Sequence, residues 1–358
     1  MEPDSPLRKD AVPAMSARRP TRIGILASPD SSPSNLFGLF DVLSSVGVGW
    51  ESFVIGAPEE PLFDVKIVAA TREPFRCAGN VLVAPRAALD EAEDVDVALV
   101  SGLVVPAWDR LRDHDGKEFD WLARQHTRGA VIASACTGAL VLAESGLLNG
   151  CEATTHWAYA DVFRVHYREV RLRPDLDLCG SGNHNQIVTS GGATAWQSLA
   201  LHLICRFCGI EYAIRAAKFW LIPGREVIQA PYSAVSRSVR HEDAVIIDCQ
   251  AWLAEHYGGS NPVSTMIRLS GLPPTTFARR FKRATSHPPI DYVHTLRIEE
   301  AKEMLETGTH AVDEIGREVG YEDPASFRRL FKRKAGVTPS DYRRRFGRTR
   351  FERYHLAQ

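Results

Sequence analysis

The chain has 358 residues, a formal net charge of −1, 44% hydrophobic and 24% charged residues. That length calls for two or more domains, each able to bury its own core, and the composition is that of an ordinary soluble globular protein. The total charge by itself argues against a nucleic-acid partner, but it is unevenly spread: residues 241–358 hold 19 Lys/Arg against 16 Asp/Glu, and residues 1–240 hold 24 against 28.

The first 20 residues are polar, without an apolar run, and read as a disordered tail, not a secretory signal. No stretch reaches the 18 or more apolar residues of a membrane span, so no membrane partner is expected. Residues 21–27 (TRIGILA) predict a short apolar strand, and Leu36, Leu39, Phe40, Leu43 and Val46 mark a helix after it. Further strands are expected over 52–56, 66–70, 97–101, 130–134, around Thr154 and over 186–190, with helices over 119–127 and from 193 to about 208. Apolar strands alternating with helices predict an α/β domain with a parallel sheet covered on both faces, closing near residue 220. Gly180-Ser-Gly182-Asn-His-Asn begins like a dinucleotide fingerprint but lacks the third glycine and leads into a strand, so it reads as a turn. Seven cysteines form no framework and suit a reducing cytoplasm; the lone Cys205-x-x-Cys208 pair reads as two small buried residues. No cofactor and no metal is called for.

Residues 221–240 contain two prolines and no sustained period, and read as a linker. From residue 241 the pattern is all helical, with segments over 241–257, 263–270, 274–285, 289–307, 310–319, 323–335 and 338–346, then a basic tail over 347–358. Asn261-Pro262 and Asp323-Pro324 each place a capping side chain before a helix-starting proline. Gly271 and Gly320 sit near the turns, as helix-turn-helix units need.

Residues 277–292 (FARRFKRATSHPPIDY) return at a constant offset of 50 as 327–342 (FRRLFKRKAGVTPSDY). Phe277/Phe327, Arg279/Arg329, Phe281/Phe331, Lys282/Lys332, Arg283/Arg333, Pro289/Pro339, Asp291/Asp341 and Tyr292/Tyr342 are identical pairs, the mark of a duplicated unit. At helical spacing the phenylalanines form a buried back. Thr275, Ala278, Arg279 and Lys282, then Ala325, Arg328, Arg329 and Lys332, form the outward front. Residues 256–290 and 324–340 each carry five basic residues and no acidic one. Basic residues on one helix face often only solvate it, but here the duplication and the missing acids point to double-stranded DNA. The segment from 292 to 305 would hold the two units at a fixed separation, matching major-groove faces about 34 Å apart.

These residues carry a resemblance. The motif F-x-x-x-F-K-R in both copies, RIEEAKEMLE, VDEIGREVGYED and FKRKAGVTPSDYR resemble the AraC-type DNA-binding domain. The resemblance implies base reading by Thr275, Ala278, Arg279, Ala325, Arg328 and Arg329, and phosphate contacts by Lys282, Arg283, Lys332 and Arg333. Ser286 departs from the glycine preferred there, and Gly316 stands at a usual alanine. Residues 21–220 are similar to the amidotransferase-like (PfpI-type, flavodoxin-like) domain of GlxA-type regulators, through SACTGALVLAESGLL, ATTHW and QIVTSGGATAWQSLALHL.

Within that resemblance Cys136 sits at a nucleophile elbow, where a helix N-terminus is expected to lower the thiol pKa. His156 stands where enzymatic relatives keep a basic partner. Asn35 and Leu39 replace the Asp and Pro common in the regulators, and Asp30 is the acid at hand. The resemblance implies a small-molecule effector, amino-acid- or betaine-like, bound at Asn35, Cys136, Thr137 and His156. It also implies a cytoplasmic homodimer and contact with RNA polymerase. The expected function is a transcriptional regulator, an activator in the favoured reading. The alternative is a cysteine-dependent hydrolase or lyase, with Cys136 and His156 catalytic, carrying an appended DNA-binding domain.

Overall fold

The computed structural model describes residues 19–57, 59–92, 94–106, 111, 116–223, 229 and 241–347. Nearly all of the expected N-terminal tail, most of the expected linker and nearly all of the basic C-terminal tail lie outside the described residues.

The N-terminal half runs β1 (Thr21–Leu26), α1 (Pro33–Ser44), β2 (Phe63–Ala69), β3 (Phe75–Cys77), β4 (Val81–Val83), β5 (Ala87–Ala88), β6 (Val97–Val100), α2 (Gly116–Thr127), β7 (Val131–Ser134) and α3 (Ala139–Glu144). It continues through β8 (Glu152–Ala153), α4 (Ala160–His166), β9 (Arg171–Leu172), β10 (Leu178–Ser181), β11 (Ile187–Ser190), α5 (Trp196–Cys208) and α6 (Ile210–Phe219). Seven strands form a sheet in the order β10-β11-β7-β6-β1-β2-β5. Side chains alternate between its faces. Ile23, Ile25, Val97 and Leu99 pack on Leu36, Leu39 and Leu43 of α1 and on Leu199 and Leu203 of α5. Leu26, Ala98, Val100 and Ile132 pack on Trp121 of α2, Leu140 of α3 and Phe163 of α4.

The sheet is parallel throughout except at its edge, where β10 and β11 pair antiparallel. The short glycine-containing connection over 182–186 explains the exception, because only antiparallel neighbours can be joined without a crossover. Gly182 (φ 76°) and His184 (φ 52°) make that turn in the left-handed region. Order reverses at β1, whose chain leaves to β2 on one side and whose other neighbour is β6. In doubly wound sheets ligands bind at the carboxyl ends of the strands flanking such a switch.

Two local expectations are corrected. Residues 52–56 are not a strand; Glu51–Ile55 form a short π-helical turn. Phe53, Val54 and Ile55 are exposed, and the turn is anchored by the buried Glu51, whose carboxylate accepts from Arg215 Nη1 at 3.0 Å. The Cys205/Cys208 pair is not a buried pair: Cys205 is exposed and Cys208 half-buried, both as free thiols.

The C-terminal half is helical: α7 (Ala244–His256), α8 (Pro262–Ser270), α9 (Pro274–Thr285), α10 (Pro289–Thr307), α11 (Val312–Glu318), α12 (Pro324–Ala335) and α13 (Pro339–Phe346). It has two cores, one around Phe277 and Phe281 and one around Phe327 and Phe331. Helix α10 serves both, giving Val293 to the first and Ile298, Ala301 and Leu305 to the second. Between them Arg297 is buried, with its guanidinium donating to Tyr257 O (2.8 Å), Gly259 O (2.7 Å) and Gly320 O (2.9 Å) and lying over the Tyr321 ring. Asp323 caps α12 through the amides of Ala325 and Ser326. Asn261, by contrast, makes no side-chain cap, and Pro262 alone starts α8.

Candidate DNA interface and ligand site

In the first unit α8 and α9 are joined through Gly271 (φ 64°); in the second, α11 and α12 turn through Gly320 (φ 93°). The backs of α9 and α12 are built alike. Phe277 lies tilted against Phe281 at 5.4 Å and Phe281 meets Tyr292 edge-on at 5.4 Å; the same residue pairs recur as Phe327–Phe331 and Phe331–Tyr342, both edge-on, at 5.8 and 5.6 Å. All four phenylalanines are fully buried. This fixes which residues face out, because a helix with one face in a core presents the opposite face to solvent.

Thr275, Ala278, Arg279, Lys282 and Arg283 are exposed, and so are Ala325, Arg328, Arg329, Lys332 and Arg333. Thr275 and Ala325 are the second residues of their helices, the end that reaches base edges when such a helix enters a major groove. Among the described residues Arg279, Lys282, Arg283, Lys332 and Arg333 form no ion pair. Arg328 donates to Asp313 at 2.6 Å, and Arg329 donates to Ser326 Oγ at 2.9 Å with Asp323 at 3.8 Å. Both sit at the surface, so neither guanidinium is locked inside the molecule.

The two departures from the family pattern are legible in the backbone. Ser286 ends α9 at φ 62°, and Gly336 ends α12 at φ 72°. Both positions need the left-handed conformation that glycine adopts without strain, so Ser286 carries a penalty that Gly336 does not. At Gly316 an added Cβ would stand 2.9 Å from Phe327 Cδ1, so the missing methyl lets the Phe327 ring lie against α11.

At the other site, Cys136 follows β7 at φ 54° and is 7% exposed. The positive φ is the strained strand-to-helix elbow expected of the motif. Gly138 permits the close approach behind it, since a Cβ there would meet Ser101 O at 2.7 Å and Val100 O at 2.8 Å. The expected activation of the thiol is not present. Burial pushes Cys136 up to about 11, outweighing opposing hydrogen bonds from Thr137, and the following helix α3 has only six residues.

Asn35 lies across Gly102 from Cys136: a Cβ on Gly102 would be 2.7 Å from Asn35 Oδ1 and 3.4 Å from Cys136 Cβ. Its Nδ2 donates to Ala193 O at 3.3 Å and Ser32 Oγ at 3.5 Å, whereas the buried Oδ1 has no partner among the described residues. An orphaned carbonyl oxygen beside the elbow is a place for a ligand's donor hydrogen. Thr137, expected to touch the ligand, has its hydroxyl spent: it donates to Leu103 O and accepts from Leu103 N, both at 2.6 Å. The Asp30 carbonyl accepts from Val104 N at 2.8 Å, in the turn that leads to α1.

Thr155 Oγ1 donates to Cys136 O at 3.1 Å, which brings the loop bearing His156 against the elbow. His156 Nδ1 accepts from Ala158 N at 3.2 Å, leaving Nε2 as the nitrogen available to a ligand, and burial pushes the imidazole below its ordinary value, toward the neutral form. Its ring neighbours are Trp157 (5.1 Å) and Tyr159 (6.1 Å). Tyr159 is a residue that sequence reasoning missed. Its hydroxyl donates to Val105 O, and its phenol is pushed up by burial and then by the Cys136 sulfur. Only its spacing three residues beyond His156 could have suggested it. Among the described residues no group of three or more His, Cys, Asp or Glu is arranged to hold a metal ion. A cavity of about 320 Å³ lies elsewhere, beside Arg22, Lys66, Arg72 and Glu91, and its charges are largely paired (Lys66–Asp64, Arg72–Glu91). No helix among the described residues is long and apolar enough to cross a membrane.

Two family models match the chain: the DJ-1/PfpI family over residues 34–206 and a helix-turn-helix domain over residues 267–345. The HTH-type transcriptional regulator CdhR of Pseudomonas aeruginosa is 24% identical over 79% of this chain and 82% of its own length. The HTH-type transcriptional regulator GlxA of Rhizobium meliloti is 26% identical over 65% of this chain and 74% of its own. The isonitrile hydratase of Pseudomonas putida is 30% identical over 54% of this chain and 74% of its own.

Proposed function

The chain belongs to the AraC-type helix-turn-helix regulators that carry a DJ-1/PfpI domain, and we propose that it is a sequence-specific transcriptional activator switched by a small molecule bound at the Cys136 elbow. In this reading residues 21–220 sense the effector and pair two copies, and residues 241–346 grip the operator and meet RNA polymerase, in the cytoplasm. The observation that carries it is the repeated aromatic-backed helix with exposed Arg279 and Lys282 in one copy and Arg329 and Lys332 in the other. Arg279→Ala should relax preference at one base position and cost about 1–3 kcal/mol there. Lys282→Ala should weaken all sequences alike and lower the salt slope by about one. Footprinting with operator variants over a salt series separates the two; equal, uniform losses in both variants would refute the assignment.

For the effector, the orphaned Asn35 Oδ1 calls for a donor hydrogen, and His156, whose Nδ1 accepts from Ala158 N, offers its Nε2–H to an acceptor oxygen. An amino-acid- or betaine-like molecule meets part of this: an ammonium donates to Asn35, whereas a quaternary betaine has only its carboxylate to offer. Thermal-shift screening against both classes, with Asn35→Ala as control, tests the site. A ligand whose stabilisation survives Asn35→Ala binds elsewhere.

A cysteine-dependent hydrolase or lyase is the second reading, favoured by the strained elbow and by the similarity to isonitrile hydratase. A nucleophile needs the thiolate, and a thiol raised to about 11 works against it. The alkylation rate of Cys136 against pH should show a thiol well above the ordinary 8.5, and Cys136→Ser should keep operator binding. A thiol titrating below 7 would restore the enzyme.

A further inference from the structure

Between the last helix of the N-terminal half and the first of the C-terminal half, one side chain is seated as firmly as any core residue. Gln229 is 2% exposed. Its Nε2 lies 3.0 Å from Leu176 O, 3.1 Å from Thr155 O, and 3.3 Å from both Pro174 O and Thr154 Oγ1. Its Oε1 accepts from Trp157 N at 3.1 Å. Four acceptors and one donor around a single carboxamide form a hole shaped for that group: the two N–H hydrogens have four oxygens to choose from, and the carbonyl has an amide.

Gly191 is part of the fit. A Cβ at that position would stand 2.1 Å from Gln229 Nε2, closer than any side chain could tolerate. The Gly191 backbone is not in the left-handed region, so its conformation does not demand glycine; the entering carboxamide does. The hole is also joined to the elbow. Thr155 accepts Gln229 with its carbonyl and donates to Cys136 O with its hydroxyl, and Trp157, which gives its amide to Gln229, follows His156 directly.

We propose that Gln229 is an intramolecular latch, a carboxamide that fastens the interdomain segment to the loop over 154–157 and so makes the state of the Cys136 elbow felt by the segment leading to the DNA-binding helices. With the latch engaged, the chain is pinned at Gln229 and not only at the buried Ile222, whose amide donates to Ala217 O. The greatest separation the chain can span to His241 falls from roughly 65 Å to roughly 40 Å. A ligand that shifts Thr155 or His156 loosens the latch and restores the longer reach, a two-state device of the kind an effector can bias. What releases the latch rests on reading the elbow as the ligand site; the latch itself does not.

The test uses the full chain without ligand, digested with trypsin under native conditions and followed by intact mass. Trypsin must draw an extended stretch on both sides of Arg225 into its cleft, and a seated Gln229 tethers the chain four residues beyond that site. Gln229→Ala and Gln229→Glu should raise cleavage after Arg225 on the order of tenfold, the factor lost with one or two hydrogen bonds. Gly191→Ala, which evicts the carboxamide sterically, should match them, and Thr155→Val should raise cleavage by a smaller factor. Should Gly191→Ala fail to fold, the two Gln229 variants decide. Wild-type cleavage in both overturns the latch, whatever the elbow binds. Faster cleavage in both, together with a ligand-induced thermal shift that survives Asn35→Ala, keeps the latch and removes the elbow as the ligand site.

Discussion

In the first helix-turn-helix unit Arg279, Lys282 and Arg283 leave α9 without an acidic partner among the described residues, whereas in the second Arg328 and Arg329 are held by Asp313 and by Asp323 with Ser326. The frames behind them are nearly superposable in chemistry, Phe-Phe-Tyr in each. Duplication has thus kept the core and let the surface diverge. In the second unit exposed pairs restrain Arg328 and Arg329, while Lys332 and Arg333 are as free of ion pairs among the described residues as their counterparts in the first. Unpaired surface cations of this kind favour encounter with a polyanion and make such binding salt-sensitive. The stops differ as well, with Asp323 and Gly336 bracketing α12 and Ser286 closing α9 under strain.

The largest expected effect tests what the two units share. Arg297→Met removes a buried cation from three carbonyls, Tyr257 and Gly259 on one side and Gly320 on the other. It should lower stability by about 3–5 kcal/mol, since orphaned buried groups lose their full solvation. Urea denaturation should show both units failing together; loss of the second unit alone would mean they are independent. Next come the stops. Ser286→Gly should stabilise the first unit by about 1 kcal/mol, and Gly336→Ser should destabilise the second by about 1–2 kcal/mol. If both changes are neutral, the difference in strain is imaginary.

Smaller still, Asp313→Asn should free Arg328 and change operator affinity by no more than about 1 kcal/mol, because exposed pairs contribute little. Its signature is a steeper salt dependence, measurable by titration. The smallest effect is one of pH. His294 on α10, whose Nδ1 lies 3.0 Å from the Tyr321 hydroxyl, is pushed below its ordinary value by burial and then by Arg297, Lys334 and Arg333, with Asp291 opposing. The unfolded chain therefore binds this proton more readily. The stability it protects is complete above about pH 6.5 and is lost as pH falls from there through the depressed folded value. Urea midpoints at pH 7.5 and 5.5 should converge in His294→Gln relative to wild type.

The helical half was legible nearly element by element. Its apolar positions recur at helical spacing, and Pro262, Pro274, Pro289, Pro324 and Pro339 announce helix starts. The α/β half was less so. Residues 51–55 have the composition of a strand, yet no neighbouring strand takes them, and a buried carboxylate turns them helical. The antiparallel edge of the sheet was not anticipated, because nothing local distinguishes it, and helix α6 was passed over although Ile210, Ala213, Ile214 and Ala217 recur at helical spacing.

At the elbow, Cys136 announced itself by its place between an apolar strand and a helix, but the raised pKa did not, since desolvation is set by what packs around the sulfur. Thr137 read as a ligand contact because its hydroxyl is polar and near; only the fold revealed that Leu103 occupies it on both sides. Tyr159 carries only its spacing from His156, and Gln229 carries no local mark at all.

Periodicity, caps and a repeat 50 residues apart are properties of short segments, and short-range backbone energetics act on them directly. The amino-acid order alone therefore determined the two repeated aromatic-backed helices and which of their residues look outward. Charge states, orphaned atoms and the seat of Gln229 depend on groups brought together across long stretches of sequence, 158 positions from Asn35 to Ala193 and 75 from Thr154 to Gln229. Only the tertiary structure decided those, because solvent exclusion and hydrogen-bond geometry exist once the chain has packed and not before.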